Sequence, residues 1–356
     1  MKTAGRAILA AWIAVAAFAP WLAPNAPNRP FPDRAYAPPT RVHMIASEGR
    51  LHPPFLYAQT LVQPLTRQYA EDRSQPVPLQ WLRSNALVSS ADPRQPLLLL
   101  GGDPLGRDLF SRLLHGARLS IALAVVAALG ATLIGAMAGA LAGYAGGLVD
   151  AVVGRVTEVA LVLPALYVLV ALRSALPLVL SPAATFVITA VILVAVGWPL
   201  AARGVRAIVA AEKEREYVEA AIALGASRRR VLFRHLLPAT TGFLWTQFAL
   251  LLPSCILAEA TLSFAALGFP DDRPSWGTLL QDAANIGVLR SAPWLLAPAV
   301  AIFSLVLAVN VAFARGGPLD DAAPAESDRT TALIEDAPDA RTAQRGGVER
   351  SGYYLG

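Results

Sequence analysis

Six apolar runs punctuate this chain, at residues 7–23, 119–142, 152–176, 183–202, 243–264 and 294–313, and the stretches between them are rich in Pro, Gly and charge. A helix of about 20 apolar residues spans the hydrocarbon core of a bilayer, and these runs approach or exceed that length with few charges. The pattern predicts an all-α membrane protein with six transmembrane helices and an extramembrane insertion after the first. An even number of crossings puts both termini on one side. The first run stands behind Lys2 and Arg6 and contains Ala17-Phe18-Ala19, a small-residue pattern of the kind that precedes signal-peptide cleavage. Pro20 would follow the cut and the apolar residues continue past it, so 1–24 is read as a retained N-terminal helix starting in the cytoplasm.

Residues 25–100 are different material. Pro27, Pro30, Pro32, Pro38 and Pro39 work against regular structure early on, and no apolar run is long enough to cross. The segment is rich in Arg, but a loop of more than about 60 residues escapes the positive-inside rule, so it is expected outside. It either packs over the outer mouth or is an inert insertion. Residues 101–118 place Leu105, Leu109 and Leu113 four apart, with Arg107/Ser111 and Asp108/Arg112 four apart on another side. That spacing predicts an amphipathic helix lying along the membrane interface.

The region 119–314 carries the remaining crossings. Its first span ends in Gly135, Gly139 and Gly143; glycines four apart open a flat strip for close approach of another helix. Arg155 and Glu158 sit near the start of the next span, where snorkelling is a simpler reading than a proton relay. Trp198-Pro199 marks the inner end of the fourth. Glu259 falls near the outer end of the fifth, Trp276 and Trp294 suit the interface, and Pro298 is expected to kink the last span. After Arg315 the chain turns to Asp, Ala, Pro, Glu and Ser, and 315–356 reads as a disordered cytoplasmic tail.

Between the fourth and fifth spans lies a polar island, 203–238. Val218, Ala221, Ile222 and Gly225 recur at helical spacing, with Glu214, Glu216 and Glu219 on other faces. Gly225 interrupts the helix, Ser227 is placed to cap a second one, and Arg228, Arg229, Arg230 and Arg234 follow. Two short helices joined at a glycine make a compact knob. With the N-terminus inside and four spans crossed, the knob falls in the cytoplasm, as its arginines require.

Composition narrows the function. Hydrophobic residues make up 55% of the chain and charged residues 15%, and the mean hydropathy is +0.49. The net charge of +5 gathers beside the spans, which points to membrane orientation and lipid headgroups and not to nucleic acid. The single cysteine, Cys255, excludes a disulfide framework, and the four histidines form no ligand pattern. Lys2 and Lys213 are the only lysines, and neither follows the Gly-x-x-x-x-Gly of a phosphate-binding loop, so the chain is not itself an ATPase of that kind. An ion-coupled transporter or channel is the competing class, but it wants ionisable groups near mid-membrane, and the span centres are Ala, Leu, Val and Gly.

Glu219-Ala220-Ala221, Gly225 and Leu237-Pro238 resemble the EAA loop of ABC-importer permeases. Gly102-Asp103-Pro104-Leu105-Gly106-Arg107-Asp108-Leu109-Phe110-Ser111-Arg112 resembles the segment that opens the transport domain of peptide-type permeases, with Gly102 where Thr is usual. Leu262-Ser263-Phe264, Pro274-Ser275-Trp276-Gly277 and Ala292-Pro293-Trp294 are similar to further signatures of the same branch. The ordered motifs cover about 101–313 and identify the chain as a member of the dipeptide, oligopeptide and nickel permease family of ABC importers (C-type permeases). The resemblance implies a type I ABC-importer (MetI-like) permease fold in the bacterial plasma (inner) membrane. It implies four kinds of partner: a second, homologous permease forming a heterodimer, two ABC ATPase subunits, a periplasmic substrate-binding protein, and membrane lipid. ATP and Mg would be bound by the ATPases, with no cofactor on this chain. The ATPase-coupling residues it implies are Glu216, Tyr217, Glu219, Ala220, Ala221, Gly225, Ser227 and Pro238. The cargo would be a peptide or peptide-like solute.

Overall fold

The computed structural model describes residues 2–45, 51–63, 67–83, 86–177 and 180–313. The expected disordered tail lies outside them. Helix α1 (Lys2–Leu22) opens the chain and packs on the C-terminal helix. After it, residues 42–90 form an antiparallel sheet in the order β1 (Val42–Ile45), β2 (Leu51–Gln63), β3 (Gln68–Arg83), β4 (Ala86–Ser90). Sequence reasoning read an extramembrane insertion here and named no strand. Pro53 and Pro54 lie inside β2, and Pro76 and Pro78 inside β3. A register shift between Tyr57 and Ala58 lets the ladder resume beside them. Leu56, Val77 and Leu97 form the small core that holds the sheet.

The helical region follows as α2 (Leu109–Ala145), α3 (Gly147–Val162), α4 (Ala165–Ser174), α5 (Pro182–Lys213), α6 (Glu216–Ala223), α7 (Arg228–Arg230), α8 (Leu237–Ala239), α9 (Thr241–Phe264), α10 (Trp276–Asp282), α11 (Ile286–Ser291) and α12 (Ala297–Phe313). Among the described residues five helices are long and apolar enough to cross a membrane, and there are six if α3 and α4 make one span. The 152–176 run is therefore not a straight crossing: α3 and α4 meet at 92° across Leu163-Pro164. Pro164 precedes α4, where its missing N–H is no loss.

Three local expectations are corrected. No separate surface helix exists at 101–118: α2 begins at Leu109 and runs unbroken past residue 119, with Asp108 as its N-cap accepting from the Phe110 N–H. Residues 101–108 are instead a folded loop, closed by the Gly102–Asp108 bridge. Pro298 does not kink the last span, because it falls in the first turn of α12, where proline is tolerated. Trp276 is not an interfacial residue. It is fully buried, donating its indole N–H to Leu113 O at 3.1 Å and meeting Trp12 edge-on at 5.1 Å. The central core gathers α2, α5, α9 and α12 around it.

Candidate functional site

The knob at 203–238 is built as helix, glycine, helix. α6 ends at Ala223, and Gly225 follows its C-cap at φ +84, a left-handed conformation open to glycine. Two bonds close the end: Gly225 N–H donates to Ile222 O at 2.9 Å and Ala226 N–H to Ala221 O at 3.0 Å. That pair is a Schellman motif, and it satisfies carbonyls the helix leaves open. Ser227 then caps α7, its hydroxyl accepting from the Arg230 N–H at 3.4 Å. A π turn over Val231–Leu236 follows, with Leu237 N–H reaching Leu232 O. Pro238 has no N–H for the carbonyl four residues back, and the widened turn leads into it.

The knob has an inward and an outward face. Val218, Val231 and Leu236 are fully buried and pack with Ala136, Ala140, Val205 and Val209, toward the C-terminal ends of α2 and α5. Glu216, Tyr217, Glu219, Ala220, Gly225, Ser227 and Pro238 are exposed, and Ala221 is partly covered. Ile222, expected on the apolar face with Val218, is instead exposed, as are Leu224 and Phe233, at 89% and 62%. Tyr217 donates its hydroxyl to Glu212 at 2.8 Å, and Lys213 reaches Tyr144 O at 2.9 Å, so the knob's root is tied to both long helices.

The long helices themselves are locked by the glycine strip. A β-carbon on Gly135 would stand 2.5 Å from Ala201 Cβ, on Gly139 2.3 Å from Ala202 O, and on Gly143 2.7 Å from Arg206 O. Only hydrogen fits, so α2 and α5 approach backbone to backbone. Arg206 also pairs with Asp150 of α3, Nη2 to Oδ2 at 2.6 Å. Arg155 and Glu158 are exposed and pair with each other at 3.2 Å.

At the opposite end of the bundle lies a constellation that sequence reasoning missed. Arg107 donates to Asp103 at 2.6 Å and to Asp271 at 2.6 Å; Arg112 donates to Asp271 at 2.7 Å. Asp103 and Arg112 are almost wholly buried. These pairs staple the loop before α2 to the loop after α9, more than 150 residues away in sequence, so helical spacing gave no sign of them. Burial works to raise the Asp271 carboxyl, but hydrogen bonds and charge from Arg107 and Arg112 hold it below its ordinary value. Burial pushes the Asp108 carboxyl up to about 6 despite bonds from Ser111 and Asn25. Asp282 is also raised to about 6, first by burial and then by the charge of Asp103. Beneath this clasp Glu259 is fully buried, accepting from Ser120 at 2.9 Å and from Ser263 at 2.7 Å, while Ser120 accepts from the Trp276 N–H. No metal-binding cluster of His, Cys, Asp or Glu is found among the described residues.

Residues 131–315, more than half of the chain, match the family model described as the binding-protein-dependent transport system inner membrane component. A putative peptide permease protein of Brucella ovis is 36% identical over 211 residues, covering 59% of this chain and 68% of the relative. The dipeptide transport system permease protein DppC of Alkalihalophilus pseudofirmus is 34% identical over 212 residues, or 59% of this chain and 67% of its own. The glutathione transport system permease protein GsiD of Salmonella typhimurium is 40% identical over 212 residues, with the same coverage of both chains. The matched region holds the glycine strip, the knob and the spans that follow, and the chain belongs to the family of binding-protein-dependent transport system inner membrane components, the permeases of ABC peptide transport systems.

Proposed function

We propose that this chain forms half of the translocation path of an ATP-driven peptide importer in the bacterial plasma (inner) membrane, and that its 203–238 segment couples it to the ATPases. The observation that carries the coupling is the two-faced knob: one side is packed onto the inner ends of α2 and α5, the other presents Leu224, Phe233 and Tyr217 outward. A push on the knob therefore moves two helices that the glycine strip holds as one body. In this reading the partners are a homologous permease, two ABC ATPases that carry ATP and Mg, and a periplasmic binding protein. This chain supplies no catalytic group and no cofactor site. Both termini and the knob lie in the cytoplasm, and the 25–100 insertion lies outside. Relatives described as peptide, dipeptide and glutathione permeases support peptide-type cargo.

Two variants test the coupling. Gly225→Val meets no atom within 4 Å in the isolated chain, so its cost there is the left-handed backbone, about 1–2 kcal/mol. Glu219→Lys reverses an exposed charge. Both should insert and fold, yet lose peptide uptake together with ATPase co-purification or its stimulation by substrate. Wild-type uptake by both variants, with the ATPases bound, would remove the knob from the mechanism.

A further inference from the structure

We propose that one end of the extramembrane sheet is a lipid anchor, seating Ile45, Leu51, Trp81, Leu82 and Leu87 in the interfacial layer of the bilayer beside α1. The anchor requires that α1 cross the membrane. It is independent of how the knob couples and of what the transporter carries.

Helix α1 has 21 residues, which at 1.5 Å per residue gives a length of about 30 Å, the thickness of a hydrocarbon core. Whatever lies against it therefore sits at the depth of the bilayer or at its margin. Strand β4 does so. Trp21, one residue before the end of α1, is exposed, as suits an aromatic ring at headgroup level.

The strands run antiparallel in the order β1-β2-β3-β4. The β1–β2 and β3–β4 connections therefore share one end of the sheet, and the β2–β3 connection takes the other. At the shared end Ile45 pairs with Leu51 and Trp81 with Val88. Leu79, Trp81 and Val88 stand on one face, because paired and alternate residues return to it. Leu79 and Val88 pack on the small core of Leu56, Val77 and Leu97, but Trp81 lies past its edge and is 57% exposed. Leu51 and Leu82 are 83% and 82% exposed, and Ile45 and Leu87 are exposed with them. The core thus ends before the apolar residues do. Turns bathed in water favour Gly, Asn, Asp and Ser, whereas large apolar side chains gathered at one place mark a contact surface.

Position decides the occupant. The strand against α1 brings this end of the sheet to the level of lipid, which surrounds a membrane span by default. The depth is bounded as well. β1 and β4 are the edges of the sheet, each with one side of its backbone outside the ladder. Hydrocarbon does not tolerate such groups, but the headgroup layer still holds water. Trp81 fits that layer, with an apolar ring and an N–H that can reach water.

The test places the fluorophore nitrobenzoxadiazole on single cysteines of the full chain, in a Cys255→Ala background reconstituted into phosphatidylcholine vesicles. Leu82→Cys and Leu51→Cys report the anchor, Gln68→Cys the far end of the sheet, and Phe18→Cys the exposed side of α1. Lipid brominated along its acyl chains should quench the labels at 82, 51 and 18 by about twofold or more, and aqueous iodide should spare them. The label at 68 should show the reverse. Quenching at 18, with either 82 or 51 unquenched and open to iodide, overturns the anchor and leaves the span standing. Equal quenching at 68 overturns the seating of one end. Shielding from iodide without quenching by lipid assigns the end to a protein contact and also overturns the anchor. An unquenched label at 18 removes the span, and the anchor with it.

Discussion

Replacing Gly139 by Ala puts a methyl group 2.3 Å from the Ala202 carbonyl oxygen, and 3.0 Å from Ala202 C and Arg206 N. All three are backbone atoms, so no side chain can turn aside. Ordinary contact begins at 3.4 Å, and the difference between 3.4 and 2.3 means α2 and α5 must part there by about 1.1 Å. A gap of roughly 0.5–1 Å forfeits a quarter to a half of a dispersion contact. In a membrane these contacts matter more, because lipid supplies no hydrophobic drive for helix association. Overpacking of this kind costs about 1–3 kcal/mol, and roughly 1.4 kcal/mol is a tenfold change in the folded-to-unfolded ratio. The assay is reversible unfolding in mixed micelles by titrated SDS, followed by tryptophan fluorescence. Gly154→Ala is the control, since a β-carbon there meets nothing within 4 Å. That change should be neutral or stabilising by up to about 1 kcal/mol through helix propensity. Gly139→Ala should shift the other way, with Gly143→Ala, at 2.7 Å, intermediate. If Gly139→Ala tracks Gly154→Ala, the backbone-to-backbone seam is wrong.

Other outcomes follow from the outer end. Asp103→Asn strips a fully buried partner from Arg107, whereas the Asp271 side chain is 61% exposed; unfolding in the same assay should therefore be promoted more by Asp103→Asn, by about 3 kcal/mol or more, than by Asp271→Asn. Asp108 and Asp282 have folded values raised to about 6, above their unfolded range, so stability falls as pH rises from about 4 to 6 and is flat above. The full chain should thus melt at higher temperature at pH 5 than at pH 7.5, and Asp108→Asn with Asp282→Asn should abolish most of that difference. Ala266 sits at φ +59 after α9, a left-handed conformation strained for a residue with a β-carbon; Ala266→Gly should stabilise by about 1 kcal/mol, and a loss of stability on denaturant titration would contradict the strain.

The order of the long apolar helices was legible because lipid leaves a chain little choice, though the 152–176 run proved to be two helices bent by 92°. Every backbone group must be satisfied within the segment, so a long apolar run becomes a helix whatever surrounds it. The break at Gly225 was legible for a similar local reason, since a helix stop needs a left-handed residue followed by a cap, and both stand in adjacent positions. Even the glycine strip announced a close approach, though not its partner. That α5 fills it, through Trp198, Ala201, Ala202 and Arg206, was a tertiary decision. So was the sheet among residues 42–90, where pairing between strands accommodates four prolines beside a register shift. The outer clasp lay furthest from view. Asp103, Arg107 and Arg112 were readable only as a helical pattern, because the second partner of the two arginines, Asp271, comes after α9. Charges find each other across such distances only after the helices have packed, and burial then makes each pairing obligatory.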